Sequence, residues 1–292
     1  MRIRFCGVRG STPASGTEFA RVGGSTSCVA ITPDRSDRPS LLLDAGTGIR
    51  SVTPLLHGDP FRGTVLLSHL HWDHVEGLPF FGAADRDGSD VTLLVPEQGG
   101  EAAEVIRKMM SPPHFPIGPE GLHGHWSFRN VDVGDHVIEG LSVRARQIPH
   151  KGGRTFGYRI EDPTASVAYL PDHRPAPTGH DRRAAMDLCR GVDLLIHDAQ
   201  FLDTEDVVAE DYGHSTISQA IDLAVEARVT ELVLFHHAPG RTDEDLDGII
   251  AEVRADDLVV SLAVEGVDRV PGASVGAQHA VPDAGRGCPA GG

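Results

Sequence analysis

Ser68, His69, Leu70, His71, Trp72, Asp73 and His74 follow one another directly after the apolar run 64–67. The spacing places three imidazoles and a carboxylate on one short segment. From an extended loop, His69 and His71 point the same way, and Asp73 and His74 turn toward a second centre. Imidazole and carboxylate are ligands for zinc, manganese or iron. A buried strand before the motif and Gly77 soon after it give the context of a strand-end metal loop.

Three further donors follow apolar strands downstream. His150 follows the stretch 141–147, Asp172 the stretch 166–170, and His236 the stretch 231–235. Taken singly, each would pass for a turn aspartate or a strand-end histidine. Taken together, they sit where loops at one rim of a sheet sandwich would gather them. Two cations about 3.5–4 Å apart share a hydroxide and a carboxylate and lower the pKa of bound water toward neutrality. Asp172 is placed to be that shared carboxylate. His237 adjoins His236 and competes with it for the last ligand position. No Gly-x-Ser-x-Gly elbow argues for a serine nucleophile.

The elements that must hold these residues are short. Strands are expected at 2–7, 27–31, 41–44, 64–67 and 91–95, joined by glycine-rich turns. Helical spacing of Val105, Ile106, Met109 and Met110 predicts a helix over 98–110. A shorter helix is expected at 48–56. Residues 111–126 hold four prolines, three glycines and no Lys or Arg, which forbids a regular element and suggests a lid or substrate wall. Strands resume at 127–131, 141–147, 155–160 and 166–170. The chain then alternates: helix 181–189, strand 194–197, helix 216–227, strand 231–235, helix 242–253 and strand 258–263. Thr216 and Gln219 have capping-box spacing. This order predicts an α/β fold: two mixed sheets face to face with helices outside, an αββα sandwich. Residues 1–268 form the expected catalytic domain, and the Gly, Ala and Pro-rich residues 269–292 a disordered tail.

A chain of 292 residues buries a sizeable core. Its net charge of -16 argues against a broad basic face for nucleic acid. Cys6, Cys28, Cys189 and Cys288 form no CxxC pair, so neither a zinc ribbon nor a redox motif is expected. No apolar run is long enough for a bilayer, and the first residues carry no signal-peptide core. The expectation is a cytoplasmic protein with no membrane contact.

The chain resembles the metallo-β-lactamase-fold hydrolases over most of residues 1–265. It is most similar to their phosphodiesterase branch, which includes tRNase Z and small cyclic phosphodiesterases. Residues 7–13 resemble the glycine loop after the first strand, and 44–48 the Asp-Ala-Gly-Thr-Gly segment. Residues 195–200 stand where tRNase Z has His-Glu-Ala-Thr, 214–216 match that branch's His-Ser-Thr, and 233–236 match the last ligand strand. The resemblance implies that His69, His71 and His150 hold one divalent metal, and Asp73, His74 and His236 a second, with Asp172 bridging. Zinc or manganese are the expected ions, with iron also accommodated. The resemblance further implies that His214 assists at the scissile phosphate, oriented by Asp198 in place of the usual glutamate. Ser11, His173 and His237 are the candidate substrate contacts. A homodimer is also implied.

Four functions compete. The first is hydrolysis of a small phosphodiester, such as a cyclic nucleotide, by a metal-bridging hydroxide. The second is tRNA 3′-processing, which needs a basic exosite. Residues 111–126 supply no charge for one, and Trp72 stands where tRNase Z has glycine. The third is a lactonase or thioesterase, which would leave His214 without a task. The fourth is a metal-binding scaffold without turnover, which would not need seven ligands.

Overall fold

Strand alternation divides the chain's apolar residues between two cores. In the computed structural model, which describes residues 1–255 and 258–273, one sheet contains β1 (Arg2–Gly7), β2 (Cys28–Thr32), β3 (Leu41–Leu43), β4 (Arg62–Leu66), β5 (Asp90–Pro96) and β6 (His125–Val131). Ile3, Phe5, Val29, Ile31, Leu41 and Leu43 face inward to a large central core. Their neighbours Ala30, Leu42, Val65 and Leu93 face outward, where Ile49, Val52 and Ile106 cover them. The period of two along each strand produces this split.

The second sheet contains β7 (Gly134–Ile138), β8 (Leu141–Ile148), β9 (Thr155–Glu161), β10 (Ser166–Leu170), β11 (Leu194–Asp198), β12 (Glu231–Phe235) and β13 (Val259–Leu262). A two-residue strand, β14 (Asp268–Arg269), pairs with β1. The sheet orders are β14-β1-β2-β3-β4-β5-β6 and β13-β12-β11-β10-β9-β8-β7. Both sheets mix parallel and antiparallel pairs. Phe5 of the first sheet meets Phe235 of the second at 6.3 Å between ring centroids. Tyr158 Oη donates to the Leu67 carbonyl at 2.6 Å, a polar stitch between the sheets.

The helices are α1 (Trp72–Val75), α2 (Ala102–Met109), α3 (Gly179–Cys189), α4 (Asp206–Tyr212), α5 (Ile217–Ala227) and α6 (Asp243–Glu252). α2 packs beside β6, while α3, α5 and α6 cover the second sheet. Thr216 and Gln219 form the expected capping box on α5, and Thr242 caps α6. The arrangement is the expected sandwich.

Several boundaries differ from the sequence expectation. Residues 47–56 form a 3-10 helix carrying Pro54. The helix expected from residue 98 starts at Ala102, after the Gly99-Gly100 pair. β7 and α4 were not expected, because β7 is largely exposed and α4 is short and acidic, so neither carries a strong apolar period. The expected tail begins in ordered structure, since Arg269 pairs with Ile3. Residues 274–292, with Cys288, lie outside the described residues. Cys6, Cys28 and Cys189 are free and buried. No helix among the described residues is long and apolar enough to cross a membrane.

Candidate metal centre

β4, β8, β10 and β12 end at one rim of the sandwich, each followed by a residue of the cluster, and β11 ends there on Asp198, the partner of His214. β8, β10, β11 and β12 run in the same direction, so their C-terminal ends converge. β10 and β12 end on the buried Leu170 and Phe235, and their polar donors Asp172 and His236 appear within two residues of those ends. His69, His71, His150 and Asp172 offer donor atoms within 4.8 Å of one another, and so do Asp73, His74 and His236. Asp172 divides its oxygens between the two groups. Its Oδ2 lies 3.5 Å from His69 Nε2 and 3.4 Å from His150 Nε2. Its Oδ1 lies 3.0 Å from His74 Nε2 and 3.2 Å from His236 Nε2.

The outer atoms of these ligands are fixed by neighbours. His74 Nδ1 meets Asp44 Oδ2 at 2.7 Å, and His150 Nδ1 donates to the Gly213 carbonyl at 2.9 Å. Ser68 Oγ lies 3.0 Å from His69 Nδ1 and donates to Asp44 Oδ2 at 2.8 Å. Such outer contacts fix the tautomer and leave the other ring nitrogen as a lone pair facing inward. Asp44 is itself held by the Ser68 amide at 2.6 Å and Tyr169 Oη at 2.8 Å.

Two left-handed residues shape the rim. Asp44 has φ 58° and His236 φ 60°, conformations that cost energy in residues with a Cβ and gather at functional sites. Gly10 permits the second. A Cβ there would stand 2.4 Å from His236 Nδ1, so the backbone of residue 10 serves as the floor beneath that ring.

The residues present fit divalent metal ions. His69 Nε2 and Asp172 Oδ1 are buried and have no hydrogen-bond partner among the described residues. His74 Nε2 and His236 Nε2 face each other at 3.4 Å, as do His71 Nδ1 and His150 Nε2 at 3.3 Å. Lone pairs aimed at one another in a buried site call for a cation between them. Burial pushes His69, His71 and His150 below the ordinary imidazole value, toward the neutral form that binds metal. Burial also acts on His74, but Asp172, Asp73 and Asp44 outweigh it and push that ring up. Burial opposes ionisation of Asp73 and Asp172 too, and the surrounding imidazoles outweigh it, holding both below the usual carboxylate range.

Beside the cluster, His214 Nδ1 meets Asp198 Oδ2 at 2.7 Å. The His214 ring packs 4.8 Å from His150 and 5.2 Å from His236. Burial disfavours its charged form, but Asp198, with Asp172 and Asp73 behind it, raises the ring to about 9. A cavity of about 490 Å³ opens over the cluster, and Ser11, Trp72, Lys151, Tyr212 and His214 contribute to its wall.

The three expected substrate contacts fare differently. Ser11 lines the cavity; its amide donates to Asp73 Oδ2 at 2.7 Å and its Oγ accepts from Gln200 Nε2 at 3.0 Å. His173 does not reach the cavity. It is fully buried, and its Nδ1 faces His197 Nε2 at 2.8 Å behind the cluster. His237 also turns away. Its amide donates to the Val8 carbonyl and its own carbonyl accepts from Gly10, which aims the ring at the Ala263 carbonyl, 2.9 Å from Nε2. Burial pushes His237 down to about 4. His236 is therefore the member of the pair in the cluster.

Sequence reasoning did not single out Asp44, Gly213, Gln200 or Tyr169 as parts of the site. Asp44 alone carried a signal: a carboxylate ending three consecutive buried leucines needs a partner.

Two stacked mixed sheets with a histidine–aspartate cluster on one rim define a metal-dependent hydrolase of the metallo-β-lactamase fold. The chain belongs to the β-lactamase superfamily: a family model described as "Beta-lactamase superfamily domain" matches residues 40–237. A protein named Ribonuclease Z from Metallosphaera sedula is 26% identical over 280 aligned positions, which take in 81% of this chain and 88% of that one. The human short-form tRNase Z structure aligns at TM-score 0.64 and 20% identity, covering 93% of this chain and 99% of that one. A diphosphatase of the PhnP family aligns at TM-score 0.66 and 17% identity, covering 92% and 97%.

Proposed function

We propose that this chain hydrolyses the phosphodiester bond of a nucleotide substrate with two divalent cations. The observation that carries the reading is the His214–Asp198 pair, 2.7 Å apart at the edge of the donor cluster. Such a pair suits protonation of the departing sugar oxygen of a phosphodiester, and the relatives named Ribonuclease Z favour that bond over a lactone's ester. His69, His71 and His150 would hold one cation, Asp73, His74 and His236 the other, and Asp172 both. The division of the Asp172 oxygens supports this assignment. Two divalent cations, when bound, stabilise negative charge on the phosphoryl oxygens and make water acidic enough to attack at neutral pH.

The chain's own residues supply the rest. Ser11 and Gln200 brace Asp73 from outside the cluster. Asp198 orients His214 so that Nδ1 is engaged and Nε2 remains to give a proton to the leaving oxygen. Buried walls on the sheet side exclude water from all but the open cavity.

Two substrates fit this chemistry. The relatives named Ribonuclease Z favour an RNA end, and this is stronger support than any the small diester receives from comparison. The chain's own features favour the small diester. Its net charge is -16, and Lys151 is the one lysine or arginine on the wall of the metal cavity among the described residues. The alignment with the Metallosphaera sedula protein has 280 positions but takes in 81% of this chain, about 237 residues, so roughly forty positions of that relative have no counterpart here. A homodimer and a cytoplasmic location belong to the same proposal.

The first test is turnover of bis-p-nitrophenyl phosphate with added Mn²⁺ or Zn²⁺. Release of nitrophenol is expected. Lactone hydrolysis without diester turnover under either metal would overturn the reading. A precursor tRNA and a panel of cyclic nucleotides, assayed side by side, then decide between the two substrates.

A further inference from the structure

Two cavities meet at Trp72. One is the metal cavity. The other, about 560 Å³, is walled by Trp72, Phe80, Met109, Met110 and Phe115, with Lys108 at its lining. Trp72 stands between the ligand candidates His71 and Asp73 and begins α1, so the backbone that fixes the cluster also fixes the indole. Its side chain is nevertheless 78% exposed. Phe80, 58% exposed, stands edge-on to Phe115 with ring centroids 5.9 Å apart. Phe115 comes from the proline-rich stretch 111–126, which therefore supplies the far wall of this groove. A bare aromatic patch of this kind marks a ligand surface.

We infer that this groove holds the nucleobase of the phosphodiester substrate, stacked against Trp72. The inference rests on the phosphodiester reading above. Every base offers a π-face, so a flat indole accepts any of them. The thioethers of Met109 and Met110 adapt to a ring edge and contact it favourably. The groove adjoins the metal cavity through Trp72 itself, so a base stacked there carries its phosphate toward the cluster. Tyr212, 60% exposed, lines the metal cavity but not the groove, which gives the second arm of a diester a separate aromatic wall.

The chain has two tryptophans, and Trp126 lies stacked on Phe128 at 6.1 Å between centroids. Trp126→Phe therefore makes Trp72 the one fluorescent indole. Titration of this variant with AMP should quench its emission saturably, while ribose 5-phosphate leaves it unchanged. Adding Phe115→Ala should weaken AMP binding about tenfold. An equal response to both ligands, or none to AMP, overturns the inference. The readout needs no turnover, so intact AMP quenching in a protein inert toward diesters would defeat the reaction and spare the groove. A single-stranded RNA hexamer that binds tenfold tighter than AMP supports the groove as a seat for an RNA end; equal affinity supports it as a seat for a small nucleotide ester. If Trp126→Phe does not fold, Trp72→Ala in the unsubstituted chain gives a second reading. The preference in kcat/KM for thymidine 5′-p-nitrophenyl phosphate over methyl p-nitrophenyl phosphate should fall about tenfold, with Trp72→Phe retaining most of it. Equal losses on both esters contradict the inference.

Discussion

Asp198→Asn removes one charge and changes little else. The carboxylate is fully buried. Its Oδ2 accepts from His214 Nδ1 at 2.7 Å and from the amides of His173 at 3.1 Å and Ser215 at 3.4 Å; its Oδ1 accepts from the Gln200 amide at 3.1 Å. Asparagine fits the volume, with its carbonyl toward the crowded side and its NH₂ opposing the Gln200 amide. That mismatch should cost about 1–3 kcal/mol of stability. The larger effect falls on His214. Asp198 is the main reason that ring stands at about 9 against an ordinary value of 6.5, a difference worth roughly 3 kcal/mol. Bound cations repel the proton further, so without Asp198 the ring is neutral at pH 7–8 and has no proton to give. General-acid help is worth about 10²–10⁴ in rate. The assay compares two leaving groups. Nitrophenolate departs from bis-p-nitrophenyl phosphate without a proton, whereas the sugar alkoxide of a dinucleoside monophosphate does not. Turnover of the dinucleotide should fall about 10³-fold and that of the nitrophenyl ester less than about tenfold. The alkaline limb for the dinucleotide should move to lower pH. Equal losses on both substrates, at unchanged metal content, would refute the role given to the pair.

Asp44→Asn should weaken metal affinity about 10–100-fold, read by equilibrium dialysis against zinc, because Asp44 orders both His74 and Ser68 without facing the cations. His236→Ala should lower bound metal, while His237→Ala should leave metal content intact and cost about 1–3 kcal/mol in a urea melt; the reverse pattern would show that the two histidines have been exchanged. Burial pushes the Glu265 carboxyl up to about 7, although Ser25 and Arg9 pull it down. Between the ordinary carboxylate value and 7 the folded chain keeps this proton and the unfolded chain has lost it. Stability from this group is therefore full below that window and declines as pH rises through it, by about 3 kcal/mol at most. Glu265→Gln should flatten that slope in urea melts at pH 5 and 8, and an unchanged slope would exclude Glu265 as its source.

The ligand positions were legible because each follows an apolar strand whose period is plain in the sequence. His69, His71, Asp73 and His74 share one segment, Asp172 and His236 each follow a buried run, and His150 follows the alternating strand β8. The helices α5 and α6 were legible through their capping threonines. What escaped was set by three-dimensional neighbours. The choice between His236 and His237 depends on a backbone bridge to Arg9 and on a left-handed φ, neither of which leaves a local pattern. His173 looked available beside Asp172, but its pairing with His197 depends on β10 and β11 lying side by side. The groove at Trp72 joins residues 72–80 to 109–115, and only the packing of α2 brings those stretches together.

Seven side chains of this cluster are proposed to hold two cations for phosphodiester hydrolysis. Stripping the protein with a chelator and restoring Zn²⁺ or Mn²⁺ stepwise, while following diester turnover, checks this assignment. No turnover is expected in the stripped protein, followed by a rise that levels at two equivalents per chain. Turnover that survives chelation, or a protein that binds two equivalents and never cleaves a diester, would contradict it.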